Sequence, residues 1–375
     1  MQQVAKPQVQ QYRLEWVQAL RAVACLGVVF THARYFLFGT PEWPVAEHWL
    51  TLGAAGVDLF FVISGFIMAY TTAGQGRAEV GSFLRRRLLR VWPPLAVMVL
   101  VWAFTMNGGL AALKAAGSNG LLRTLLLVPA NSHVPPYFEM FLPVAWTLVF
   151  EVYFYAVFAV SMCFQRWRWL VLHALIVGGV LLDPAAWLGW SMSPQHDAGL
   201  RPAMLNVASN PLVLEFLFGV WAAWLYRSPW CLTSRRLCWH LLLLVVAAGS
   251  WYSLARYWSF HGPLGWGLYA GALVLTLALV SKTLQLRVPP VLLWLGSISY
   301  SLYLTHTCTQ QLLIRYVEAQ GWSAHSWDFV WCSTAICLIV AYGFYELVEQ
   351  RLVQGLRHLP ARFAGVAGRT SDNLI

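Results

Sequence analysis

The sequence predicts an all-α, polytopic membrane protein of about ten transmembrane helices with both termini in the cytoplasm. Three observations predict it. First, 59% of the 375 residues are hydrophobic and only 11% are charged, whereas a soluble domain carries about 25% charged residues. Second, the apolar residues run continuously over lengths near 20 residues, as a helix crossing hydrocarbon requires. Strands of a membrane barrel would alternate in polarity instead. Third, the basic residues sort to one side of the predicted spans. The net charge of +10 does not point to nucleic acid, because the basic residues are distributed at span ends.

Ten spans are expected at about 14–38, 50–73, 88–106, 143–164, 168–183, 209–227, 239–258, 263–282, 290–317 and 327–350. With the N-terminus inside, 18 of the 25 Lys and Arg fall in cytoplasmic connections and 5 in outer ones, while Arg21 and Arg34 lie within span one. Residues 1–13 are then a cytoplasmic segment, 14–353 the membrane domain, and 354–375 a short basic cytoplasmic tail. The first residues are polar (Gln2, Gln3, Gln8, Gln10, Gln11) and hold no removable signal peptide. Segment 108–142 is expected to be an outer loop that folds back. Seven cysteines mostly fall within spans, and no C-x-x-C or Cys/His ligand spacing appears. Neither a disulfide framework nor a metal is expected.

Ionisable groups inside hydrocarbon are the functional signal. An Arg at mid-bilayer costs about 2.5–3.5 kcal/mol on insertion scales. Arg21 and His32 are eleven residues apart in span one, three helical turns plus about 20°. They share one face about 16 Å apart. Span direction places Asp58, Glu151, Glu215 and His306 at depths near His32, with Arg21 further in. Each of these taken alone could be a satisfied interhelical hydrogen bond. Arg34 is near enough to the outer interface to snorkel. Cys25 shares the Arg21–His32 face, but such cysteines are usually small packing residues. At the inner end of span three, Arg85, Arg86, Arg87 and Arg90 precede Pro93-Pro94. They suit a positive-inside signal with anionic lipid or a phosphate clamp, since guanidinium forks match phosphate oxygens. Arg86 and Arg90 are i,i+4 neighbours.

Several blocks in order resemble the membrane-bound acyltransferase-3 family, within it the exopolysaccharide O-acetyltransferases. They are Arg21 and His32 as R-x10-H, and Gly56-Val57-Asp58-Leu59-Phe60-Phe61-Val62-Ile63-Ser64-Gly65-Phe66. The arginine run ending in Pro93 and the segment from Trp146 to Glu151 follow. Leu214-Glu215-Phe216-Leu217-Phe218-Gly219 and Ser299–His306, which includes Tyr303, complete the set. The resemblance covers about 12–353. A second acidic position common in the family is Val152 here.

The resemblance implies transfer of an acetyl or other short acyl group from acyl-CoA to a hydroxyl of a glycan. The donor, acetyl-CoA, is cytosolic and is a substrate, with no bound cofactor. The acceptor is an exported or cell-surface polysaccharide or its lipid-linked precursor, and the location is the bacterial inner membrane. His32 is the candidate general base. Asp58 or Glu151 would set its tautomer as in a triad, and Arg21 would bind CoA or polarise the thioester oxygen. An acyl-histidine is the other chemistry. Arg86, Arg87, Arg90, Ser64, Tyr303, His306 and Glu215 are the candidate donor- or substrate-binding residues. A glycolipid or polysaccharide-precursor transporter would also need intramembrane charge. It should show an inverted repeat, and none is evident.

The orientation is testable in a background lacking native cysteine. Cysteines at positions 77 and 235 should resist an impermeant thiol reagent in intact cells, and one at 196 should react. Labelling at 77 from outside reverses the assignment.

Overall fold

The computed structural model describes residues 14–106, 117–188, 192–254 and 260–358. Among these every regular element is helical and none is a strand. Helix α1 is Glu15–Ala33, α2 Trp43–Leu50, α3 Ala55–Thr71, α4 Val80–Met106, α5 Gly117–Leu126, α6 Trp146–Met162 and α7 Arg168–Val180. Then come α8 Ala203–Ser209, α9 Val213–Arg227, α10 Arg235–Leu254, α11 Trp266–Val280, α12 Pro290–Ser297, α13 Ser299–Ala319 and α14 Trp327–Phe344.

Each of the ten expected ranges contains a helix. By length and apolar composition, five described helical stretches could cross a membrane: Glu15–Leu37, Trp43–Thr71, Arg77–Met106, Pro143–Met162 and Trp327–Leu356. Helices α8 and α9 form a sixth candidate that bends by 51°. The expected 290–317 span is broken at Ile298 between α12 and α13. Pro290 opens α12, where proline's missing N–H costs nothing. Ser326 caps α14 by accepting from the Phe329 amide, which ends the preceding loop and starts the helix.

Helix α4 begins eight residues earlier than the expected span three. Its 27 residues extend about 40 Å at 1.5 Å per residue, longer than a hydrocarbon core of about 30 Å. The arginine run is therefore on the helix, and not in a loop before it. The expected fold-back of 108–142 is seen in part, since 107–116 lie outside the described residues. Helix α5 lies against α4, with the Trp92 indole N–H donating to the Leu125 carbonyl at 2.5 Å. The return strand of chain buries Phe138 and Leu142 completely.

The bundle is held at its centre by an intimate crossing of α3 and α9. A Cβ on Gly65 would lie 2.0 Å from the Phe216 carbonyl oxygen, and one on Gly219 would lie 1.9 Å from that of Val62. Only glycine allows backbones this close, the usual small-residue device of membrane helices. Around the crossing stack Phe61, Phe150, Phe154 and Phe216, the last two with centroids 4.5 Å apart.

Replacing Gly219 tests the crossing. Gly219→Ala must push α3 and α9 apart, and overpacking of this kind costs about 1–3 kcal/mol. The apparent Tm in detergent, read by fluorescence-detected size exclusion, should fall by several degrees. An unchanged midpoint would contradict the contact.

Candidate active site

Helices α1, α3, α4, α6 and α13 line an open cavity with room for about 100 Å³ of water-sized occupants. Its polar lining includes Arg21 from α1, Ser64 from α3, Arg87 and Arg90 from α4, Glu151 from α6, and Tyr300 and Tyr303 from α13. Six of the residues singled out in the sequence thus meet: Arg21, Ser64, Arg87, Arg90, Glu151 and Tyr303. Arg86 does not join them and is exposed. The buried face of α4 carries Phe83, Val91, Pro94 and Leu95. On a helix Arg87 and Arg90 fall on that face and Arg86 does not, so the inward pair is i,i+3 and not Arg86 with Arg90.

The guanidiniums are neutralised only in part. Glu151 accepts from the Tyr155 hydroxyl, and Arg87 reaches the Thr71 hydroxyl at 3.4 Å. Arg21 donates to Gln18 Oε1 at 3.2 Å and interacts electrostatically with Arg90, Glu349 and Glu151. Sequence reading missed Glu349. It sits in the π-helical turn Tyr345–Leu352 that continues α14, and it accepts from the Ser301 hydroxyl. The extra residue of a π-turn rotates side chains relative to an α-helix, and such turns recur at functional sites. Arg21, Arg87 and Arg90 outnumber Glu151 and Glu349, which leaves the cavity electropositive and receptive to an anion.

Beyond Tyr303, the His32 and His306 rings meet at a tilt of 51°, with centroids 5.1 Å apart. Tyr303 joins the two regions. Its ring is 5.9 Å from His306, and its hydroxyl is 2.8 Å from that of Thr147, another cavity residue. His306 is fully buried. Its Nδ1 faces the Tyr303 carbonyl at 2.8 Å, which requires that nitrogen to be the N–H donor. Nε2 is then an acceptor, and it has no hydrogen-bond partner among the described residues. His32 is the exposed member of the pair. The Cys25 thiol, on the same face of α1, donates to the Ser299 carbonyl at 3.1 Å, a packing contact.

Neither expected carboxylate orients His32. Glu151 is in the arginine cavity. Asp58 is fully buried and accepts from His261 Nδ1 at 2.7 Å and from the Gly262 amide at 3.0 Å. Glu215 is equally buried and neighbours Asp58 and Gly262, but neither of its oxygens meets a donor in ordinary hydrogen-bond geometry. It lies so close over Gly267 that a Cβ there would come within 2.4 Å of Oε1. No local pattern marks His261, which is 203 residues from Asp58.

A helical bundle with apolar membrane-length segments, an arginine-lined interior cavity and an adjoining histidine pair has the form of a membrane protein with a polar site inside it. The sequence profile described as the acyltransferase domain Acyl_transf_3 matches residues 14–346, and the chain belongs to that family. The exopolysaccharide production protein ExoZ of Rhizobium meliloti is 32% identical over 342 residues, covering 87% of this chain and 97% of that protein. Nodulation protein 10 of Rhizobium leguminosarum bv. viciae is 27% identical over 376 residues, 93% of this chain and 95% of its own length. The acyltransferase MdmB of Streptomyces mycarofaciens is 27% identical over 369 residues, 90% and 91% of the two chains. No solved structure matches the chain.

Proposed function

We propose that this membrane acyltransferase moves an acetyl or other short acyl group from cytosolic acyl-CoA to a hydroxyl of an exported or cell-surface polysaccharide, or of its lipid-linked precursor. It would work in the bacterial inner membrane with about ten crossings and both termini inside. The observation that carries the reading is the alignment of the Arg87–Arg90–Arg21 cavity, through Tyr303, with the His32–His306 pair. Similarity to an exopolysaccharide production protein supports a glycan acceptor.

In this reading Arg87 and Arg90 pair with CoA phosphates by bidentate guanidinium forks. Arg21, from α1, adds a third guanidinium to this donor-binding cavity, while His32, about 16 Å further along the same helix, serves the transfer end. His32 takes the proton of the acceptor hydroxyl as its oxygen attacks the carbonyl carbon. The C–O bond forms and the C–S bond breaks. The proton then passes to the leaving thiolate, yielding the ester and free CoA. His306, fixed by its Nδ1 bond to the Tyr303 carbonyl, stabilises the His32 imidazolium through its free Nε2. The experiment is incubation of purified protein in lipid with radiolabelled acetyl-CoA and the polysaccharide of the source strain. Label in the glycan is expected, and none would refute the activity.

Three variants probe the roles. His32→Ala should insert normally and lose transfer by about 10²–10⁴-fold, the usual scale for removing a general base. Wild-type acylation would remove His32 from the mechanism.

The arginines are separable by geometry. A double Arg87→Lys, Arg90→Lys variant keeps the charge but loses the planar fork. It should raise KM for acyl-CoA several-fold with acceptor KM little changed, whereas exposed Arg86→Lys should alter neither. Equal effects at Arg86 and at the inward pair would reduce the run to a topology signal.

A further inference from the structure

The Asp58–His261 pair lies outside the cavity and the histidine pair, and no step above uses it. Its depth is informative. In the turn before α3 a Cβ on Gly53 would strike Gly27 and Thr31 of α1, and at the start of α3 one on Gly56 would strike Ala24. Asp58, two residues on, is therefore level with the Arg21–His32 stretch of α1. Val57 lines the cavity, while Asp58 holds the turn before α11 through His261 and Gly262.

The carboxylate on Nδ1 sets the imidazole tautomer and leaves Nε2 as a hydrogen-bond acceptor, as in a His–Asp pair of a hydrolase. The His261 side chain is 14% exposed, so one edge of the ring is reachable. Trp146 and Trp266 stand edge-on to it with centroids at 5.9 and 5.1 Å. Tyr137, itself exposed, extends this aromatic wall from Trp146 at 5.2 Å. A buried polar group nearby, the Trp266 indole N–H, also lacks a partner among the described residues, while the Glu215 carboxyl group packs against Asp58 and Gly262. Unpaired buried groups of this kind are rare and call for a ligand or water. Donors and acceptors gathered beside aromatic rings suit a ligand with several hydroxyls and apolar C–H faces. Two neighbouring carboxyl groups, Asp58 and Glu215, oppose a phosphate or any other anion, so this is not a second donor site.

We infer that His261, held by Asp58 between Trp146 and Trp266, is the point at which a neutral saccharide hydroxyl of the acceptor is bound. The inference rests on the reading of a glycan acceptor, and it makes His261 a specificity-determining residue at the acceptor end of the path. Asp58 is a positioning residue that acts through the imidazole.

Carbethoxylation of His261 by diethyl pyrocarbonate, followed by peptide mass spectrometry, tests binding without any transfer step. Oligosaccharides released from the source strain's polysaccharide should slow labelling of His261 at least fivefold, and sucrose at equal mass should slow it less. Absence of protection overturns the subsite, and water alone then fills it. In the transfer assay, His261→Asn should raise acceptor KM at least tenfold while acyl-CoA KM is kept. Asp58→Asn should reproduce that split, because the tautomer is lost. A matched rise in both KM values would mark a structural tie and overturn the assignment. Protection of His261 together with no transfer by the wild-type protein would sink the acyltransfer reading and leave the saccharide subsite standing.

Discussion

Three guanidinium groups held inside an apolar helix bundle set the terms for what surrounds them. Charge taken from water into a low-dielectric interior must find partners, or the bundle is destabilised by several kcal/mol per ion. Arg21, Arg87 and Arg90 come from two helices, and their partners Glu151 and Glu349 come from α6 and from the turn after α14. Four separate parts of the chain are thereby tied to one cavity. The carboxylates are themselves held, by Tyr155 and Ser301. Among the described residues the three guanidiniums outnumber the two carboxylates, and this surplus is what the proposed binding of an anionic donor would use.

Such a cavity can exist only if the rest of the bundle is closed tightly around it. The glycine crossing of α3 and α9 fixes those helices at backbone contact, and the phenylalanine stack from α3, α6 and α9 fills the space beside it. Hydrophobic collapse provides little drive between helices in lipid, so close packing of this kind has to supply the cohesion. The same crossing sets where Asp58 and Glu215, one on each helix, stand relative to each other.

The two engaged imidazoles show how environment divides similar groups. His306 has its Nδ1 on a backbone carbonyl and is fully enclosed against His32. His261 has its Nδ1 on a buried carboxylate and keeps an open edge among indole rings. In both, the partner of one nitrogen decides what the other can do. The roles proposed for them follow from this difference: acid–base work for the first and recognition of a hydroxyl for the second.

Much of this was legible in the chain alone. Hydropathy and helical period are local properties. The ten helical ranges and the shared face of Arg21 and His32 therefore follow from residue order, but the single layer of ionisable groups expected near His32 does not form, since Glu151 joins Arg21 in the cavity. The rotation of each helix about its axis is not local. It is fixed by packing against neighbours, and so it took the tertiary structure to turn Arg87 inward and leave Arg86 exposed. Pairings across the chain are likewise set by three-dimensional approach. Asp58 is level with the Arg21–His32 stretch of α1, yet α3 presents it to a turn 203 residues away. Glu349 enters the site only because a π-turn redirects it. Sequence by itself determined which helices form and which charges they carry inside; tertiary packing alone decided which of those charges meet, because partners in a bundle are chosen by helix rotation and close approach.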